Sequence, residues 1–359
     1  DMVLDVPDAD HWLSGIAPAL RSADLSIAHL EVPHTRRGSE LAGDVPAPGA
    51  DPENLDALAR AGVAAVSLAG NHIADCGAQG IADTLERLER LGIAHTGAGA
   101  DLDSASRPAI IERRGRRVCL LSYNCVGPEA AWAGADQAGC NFLPMQSSDG
   151  QPVAPASPLV APTAQALQRL RADIAAARRG ADLLVVALHK GIVHTPAQLA
   201  PYERPLAEAA LDAGADIVVG HHAHILRGVE LRNGKPLFHG LGNGCVVTHA
   251  LSPAQDHPAR AAWAQRRRQM FGFEPDPRYE LAPFHPEAVH GAIGMVRLEA
   301  DGALRMGVIP VHVEPPGRPV CVSDARAEEV IAYLDRIGAM AGLPARQWRR
   351  EGDWLWMCT

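Results

Sequence analysis

Apolar and polar positions along the chain switch repeatedly between a helical and a strand rhythm. Residues 12–23 carry apolar side chains at helical spacing, and 25–30 then read as a short strand. Residues 52–61 predict a helix with Pro52 in its first turn, where the missing N–H breaks no hydrogen bond. Residues 63–68 form a strand-like run that stops at Ala69-Gly70-Asn71-His72, and Ile81, Leu85, Leu88 and Leu91 then give a helical stripe. Predicted strands at 117–123, 182–188 and 217–219 alternate with predicted helices at 163–179 and 198–213. Asn233-Gly234, flanked by apolar triplets at 229–231 and 236–238, is a hairpin signal. Strands at 292–298 and 304–313 turn about Asp301-Gly302, and a late helix covers 324–341.

Two stretches break the rhythm. Residues 127–162 are rich in Pro, Gly, Ala and Ser, and residues 250–284 hold Trp263, Arg266 to Arg268 and several prolines. Both predict loop excursions, and an acidic-peptide role for Arg266 to Arg268 is weaker than a solvated loop. The alternation predicts an α/β domain over 1–320 interrupted by these inserts. A helix and a tail with Trp348, Trp354 and Trp356, over 321–359, should pack on it.

Composition narrows the function. At 47 % hydrophobic and 21 % charged the chain can bury a core, and with 4 % aromatics that core must be aliphatic. The charge balance, 33 − 42 = −9, argues against a nucleic-acid partner. No apolar run approaches the roughly 18 residues of a membrane span, and no signal peptide is visible. Seven cysteines scattered singly point to reduced thiols and a cytoplasmic setting.

Sixteen histidines direct attention to metal and acid–base chemistry. Layered α/β folds place ligands at the C-terminal edge of their strands. Here strand after strand ends in residues able to bind metal: Asp1 in the first segment, His29 and Glu31, Asn71 and His72, His189, and His221-His222-Ala223-His224. One histidine at a strand end is usually structural, but five such ends in series are not. The His222-x-His224 spacing suits a bent loop whose side chains reach two neighbouring metals.

These segments resemble the calcineurin-like metallophosphoesterase superfamily, and within it the poly-γ-glutamate capsule synthesis (CapA-type) branch. Asp1-Met2-Val3-Leu4 is similar to the branch's opening GD-x-x-L, and Ala28-His29-Leu30-Glu31-Val32-Pro33 to its N-L-E-x-P. Ser67 to Gly77 is similar to S-L-A-N-N-H-x-x-D-x-G, and Leu188-His189-Lys190-Gly191 contains the counterpart of H-W-G. Ala213-Gly214-Ala215-Asp216 through His224 is similar to G-A-D-x-V-x-G-H-H-P-H, and Gly240-Leu241-Gly242-Asn243 to S-L-G-N. The resemblance implies a four-layer α/β/β/α sandwich holding one or two divalent metal ions (Ca2+, Mn2+, Zn2+ or Fe2+). It assigns Asp1, Glu31 and His224 to one position and Glu31, Asn71, His189 and His222 to the other. His72, oriented by Asp75, would be an acid–base residue rather than a ligand.

Departures from the branch pattern matter. Val3 stands where the superfamily's D-x-H motif has histidine, which leaves one position oxygen-rich and short of ligands. His29, Lys190, His239 and Gly244 replace residues usual in the branch. With Asn243, His29, Lys190 and His239 are expected to contact substrate. Phe284-His285-Pro286-Glu287 resembles a late CapA-type segment and places His285 near the pocket rim, with His290 a weaker candidate. His11, His34, His95, His194, His257 and His312 are expected to be surface or structural.

Three functions remain open. In hydrolysis, His72 protonates a leaving group. In Cα proton exchange, His72 with Asp75 and His285 with Asp1 act on opposite faces of a peptide residue. The CapA-type branch includes an epimerase acting on the C-terminal tryptophan of a lasso-peptide precursor, and the chain looks like that kind of member, so epimerisation of a precursor peptide is the preferred expectation. Non-catalytic binding of an anionic polymer or peptide fits least, because an Asn71-His72-Asp75 unit serves no purpose in a pure binder.

Overall fold

The computed structural model describes residues 1–38, 41, 49–251, 258, 261, 262, 269 and 271–358. Trp263, Arg266 to Arg268 and His257 lie outside the described residues. The largest sheet has six strands, ordered Leu226–Arg232, Lys235–Leu241, Ile217–His222, Leu183–Lys190, Arg116–Asn124 and Ala109–Arg113. Its four central strands run parallel, and the two edge strands are antiparallel.

Strand parity decides where each side chain goes. In Leu183–Lys190, Leu184, Val186 and Leu188 face the helices Ala164–Arg178 and Glu203–Ala213. Val185 and Ala187 face a second layer of strands. Leu184, Val186 and Leu188 are fully buried, and each contributes about 2 kcal/mol to the fold. The second layer contains the parallel set Ser26–His29, Val63–Ser67 and Ala94–Thr96. A bridge from Met2 to Leu30 links this set to Met2–Leu4, which pairs in parallel with Cys245–Val247. Val63 and Val66 turn outward and pack with Leu13, Leu58, Ile81 and Leu88 of the helices Ala9–Leu13, Leu55–Arg60 and Gly77–Arg90. The order helix, sheet, sheet, helix is the α/β/β/α sandwich that the resemblance implied.

A further sheet is built on His290–Leu298 and Leu304–Glu314. The tail strands Trp348–Glu351 and Trp354–Met357 join it through Gly307 and Trp356. Trp356 is 1 % exposed, with the guanidinium groups of Arg297 and Arg305 over its ring, so this tryptophan packs rather than lining a groove. Asn233 and Gly234 both have positive φ, the type I′ hairpin that the dipeptide predicts. The helix predicted over 198–213 begins only at Glu203, since Pro201 restricts the residue before it and lacks an N–H. The stretch 127–162 is irregular but includes the paired strands Met145–Ser147 and Leu159–Pro162. Among the described residues no helix is long and apolar enough to cross a membrane.

Candidate metal centre

The parity that fills the core also assembles the site. Val185 and Ala187 face the space between the sheets, so His189, two residues further on, does too. Ile217 and Val219 place His221 there by the same count, and His221 lies in register with His189 on the adjacent strand. Ile27 does the same for His29 across the gap. The three imidazoles therefore meet where both sheets end. The His29 and His221 rings stack 3.7 Å apart, and His189 lies 4.8 Å from each. His189 also contacts Asn71 Oδ1 through Nε2 at 2.7 Å and His221 Nδ1 through Nδ1 at 2.6 Å.

Two groups of donors form here, the atoms of each lying within 4.8 Å of one another, and Asp1 belongs to both. One is Asp1, Glu31 and His224, with His224 Nδ1 3.5 Å from Asp1 Oδ2 and Nε2 3.3 Å from Glu31 Oε1. The other is Asp1, His29, His189 and His221. His222 stands between them, its ring 4.7 Å from His189 and 6.5 Å from His224. Its backbone N–H donates to the Asp1 carboxylate at 3.3 Å. Strand alternation would send His222 and His224 away from the centre. Both residues instead have positive φ, 97° and 55°, which bends the chain around it. Such conformations cost on the order of 1–3 kcal/mol each and concentrate at functional sites.

Protonation suits a cation. Burial pushes His29 and His222 down to about 3 and holds His189 and His221 well below the usual imidazole range, with nearby histidines adding to the effect. Burial alone would raise Glu31, but His224 and His72 hold it below the usual carboxylate range. At neutral pH the centre thus presents neutral imidazoles at His29, His189, His221 and His222 and an ionised carboxylate at Glu31. His29 Nε2, Glu31 Oε2, His221 Nε2 and both His222 nitrogens are buried with no hydrogen-bond partner among the described residues. Buried polar atoms are normally paired, and a divalent cation would satisfy these together. The donors fit such an ion: imidazole suits Zn2+, Mn2+ or Fe2+, and the oxygen-rich group with Asp1, Glu31 and His224 also suits Ca2+. Val3, in the D-x-H histidine position, is buried among Val32, Val246 and Phe284, so that group has three donors.

His72 Nδ1 lies 2.7 Å from Asp75 Oδ2, and Asp75 is fully buried. Asn243 Oδ1 lies 2.9 Å from His224 Nδ1. Other expectations need correction. Lys190 follows His189 and so faces the helices, where its Nζ donates to Glu203 Oε2 at 2.8 Å with both side chains fully buried. His239 lies on the same side as Lys190, because Phe238 faces the gap, and it contacts Glu230 Oε1 at 2.8 Å. Neither residue lines the cluster. His285 does not pair with Asp1. Its Nδ1 accepts the Glu287 N–H at 3.1 Å and caps the turn Pro286–Val289. His285 lines a cavity of about 500 Å³ together with Phe284, whose ring stacks 4.8 Å from His224. His194, expected to be structural, also packs against His224, at 5.6 Å. His29 and His221, both among the strand-end residues able to bind metal, stand outside the ligand set that the resemblance implies, which places His29 with substrate, yet both belong to a donor group. Counting by twos from the apolar positions of each strand would have found both.

The bacterial capsule synthesis protein family PGA_cap matches residues 2–246. A probable polyglutamine synthesis accessory protein of Mycobacterium tuberculosis is 33 % identical over 198 residues, 54 % of this chain and 47 % of the relative. The PGA biosynthesis protein CapA of Bacillus subtilis is 28 % identical over 245 residues, 68 % of this chain and 58 % of the relative. The chain thus spans about half the length of these curated relatives. Among solved structures, the sulfate thiohydrolase SoxB of Thermus thermophilus aligns over 80 % of this chain and 38 % of its own at 12 % identity, with a TM-score of 0.37. With a family match over more than half its length, the chain belongs to the bacterial capsule synthesis protein family PGA_cap.

Proposed function

We propose that this chain is a metal-dependent enzyme acting on a peptide, and that it exchanges the Cα proton of a C-terminal residue, converting L to D. The observation that carries this is the His72–Asp75 pair beside the donor cluster, together with a second histidine, His285, lining the cavity that Phe284 shares with it. His72 is close enough to Glu31 to lower its pKa, and His285 lines the same cavity as Phe284, whose ring stacks on His224. A bound divalent cation would supply Lewis-acid polarisation of the substrate carboxylate or amide carbonyl. Asp75 accepts from His72 Nδ1, which makes Nε2 the proton-accepting atom and stabilises the imidazolium that results. The Glu287 N–H holds His285 Nδ1, which leaves Nε2 to meet substrate. His285 returns a proton only as the imidazolium, so the Glu287 contact must open in each turnover. The relatives' names, polyglutamine synthesis accessory protein and PGA biosynthesis protein, support a substrate rich in amide bonds.

The alternative reaction is hydrolysis of a γ-glutamyl amide or a phosphoester, with His72 protonating the leaving group. It is favoured by Asp1 being common to two donor groups, the arrangement a two-metal site needs. The three-donor group at Glu31 weighs against it. Mass spectrometry in heavy water separates the two. Enzyme with added Mn2+, Zn2+ or Ca2+ is incubated with C-terminally varied peptides, with and without chelator. Chelator-sensitive uptake of one deuterium without cleavage is the expected result. Gain of one water, or fragments without deuterium at Cα, would make the chain a hydrolase.

A further inference from the structure

The geometry points to a second recognition element: the cavity beside the metal-competent cluster is a subsite for peptide backbone amides, and His290 and His312 are the residues that read them. This rests on the peptide substrate proposed above and extends it to the residues upstream of the reacting one. The cavity, at about 500 Å³, lies within the roughly 300–1,000 Å³ range of small-ligand sites. One end is formed by Asn243 and Phe284, both in contact with His224. His290, His312 and Glu329 also line it. The two parts are neighbours, since a Cβ added at Gly291 would sit 3.4 Å from Asn243 O.

His290 and His312 face each other directly across the antiparallel strands His290–Leu298 and Leu304–Glu314. Directly paired residues share a sheet face, and their rings lie 6.2 Å apart. Nδ1 of each is buried without a hydrogen-bond partner among the described residues. Both rings line the cavity, and the buried Nδ1 of neither is engaged by a described residue, which leaves the imidazoles to a ligand held there. Burial lowers the pKa of both histidines, so at neutral pH each offers one donor and one acceptor. A peptide amide offers the complementary N–H and C=O. Glu329 also lines the cavity, and Arg278, an arginine of the same lining, is paired with Asp276, which disfavours a phosphate or a polycarboxylate. Among the described residues, metal-competent groups are found around Asp1 and not at this pair.

The test compares a pool of N-acetylated pentapeptides with a pool of N-acetyl amino acids, by affinity mass spectrometry on the metal-loaded protein. Wild type should bind the pentapeptides at least tenfold more tightly. The double variant His290→Phe with His312→Val should lose that advantage while retaining metal and affinity for the amino acids. The double variant His290→Gln with His312→Gln, which keeps a donor and an acceptor at each position, should recover part of it and covers the case in which the first variant does not fold. An advantage that survives in both variants overturns the subsite. Equal binding of both pools by wild type also overturns it and leaves the peptide substrate standing. Binding of neither pool overturns both.

Discussion

At the residue scale, the outcome turns on which side of a strand a polar residue occupies. His189 and Lys190 are adjacent, yet one enters the metal-competent cluster and the other a buried ion pair on the opposite face. Glu31, His189 and His224 fall in the donor groups, with Asn71 and His222 against His189, and all five stand in local, ordered motifs of the sequence. His221 and His29 were legible as metal-competent strand ends, but that they join one donor group follows only once the apolar positions of three strands are counted in register. Asp75 does not approach the donor groups itself; it sets the tautomer of His72. Asp75→Asn should therefore lower turnover by roughly 10²–10⁴, with metal content unchanged by elemental analysis. His72→Ala should abolish activity and leave metal content nearly unchanged, and an active His72→Ala protein would remove the acid–base role. Asp1→Asn should weaken metal binding sharply, because its carboxylate is common to both donor groups; wild-type metal affinity in that variant would remove it from the ligand set.

At the element scale, the strands that build the site were predicted within a few residues, because continuous apolar runs between helical stripes are unambiguous. The short strands Ala94–Thr96, Cys245–Val247 and Arg318–Cys321 were not, since three or four residues carry no measurable period. Their pairing is set by neighbours distant in sequence. The contact between the strand Leu183–Lys190 and the helix Glu203–Ala213 includes the Lys190–Glu203 pair, fully buried on both sides. Glu203 also accepts the Ala200 N–H at 2.6 Å, which ties the residues just before the helix to the strand end bearing His189. Lys190→Met leaves a buried unpaired carboxylate and should cost about 3–5 kcal/mol in urea unfolding. The double variant Lys190→Met with Glu203→Leu should regain most of that loss. If the single variant is as stable as wild type, the pair does not anchor this contact.

At the scale of the whole molecule, four layers bring strand ends from two sheets to one edge, and the metal-competent residues gather there. Keeping so many histidines neutral has a consequence for stability. His34, fully buried with Nδ1 against Val32 O, is pushed down to about 4, while His29 and His222 fall to about 3. The folded pKa of each lies below the unfolded value of about 6.5, so below that pH the unfolded chain binds protons that the folded chain refuses. Stability must therefore fall as pH drops from about 6.5 toward 4, by up to ~1.4 kcal/mol per pH unit for each such histidine. Urea midpoints of chelator-treated protein between pH 7 and pH 4.5 measure this slope. His34→Gln, outside both donor groups, should reduce it by about one proton, and an unchanged slope would mean His34 titrates normally.

The central claim is that the two donor groups sharing Asp1 hold a divalent cation. The most direct measurement is metal content after dialysis against low concentrations of Mn2+, Zn2+ or Ca2+, by mass spectrometry of the elements, in wild type, Glu31→Gln, His221→Ala and His72→Ala. Wild type and His72→Ala should retain at least one ion per chain, and Glu31→Gln and His221→Ala should lose affinity at least tenfold. No retained ion in wild type, or full retention in both ligand variants, would contradict the account.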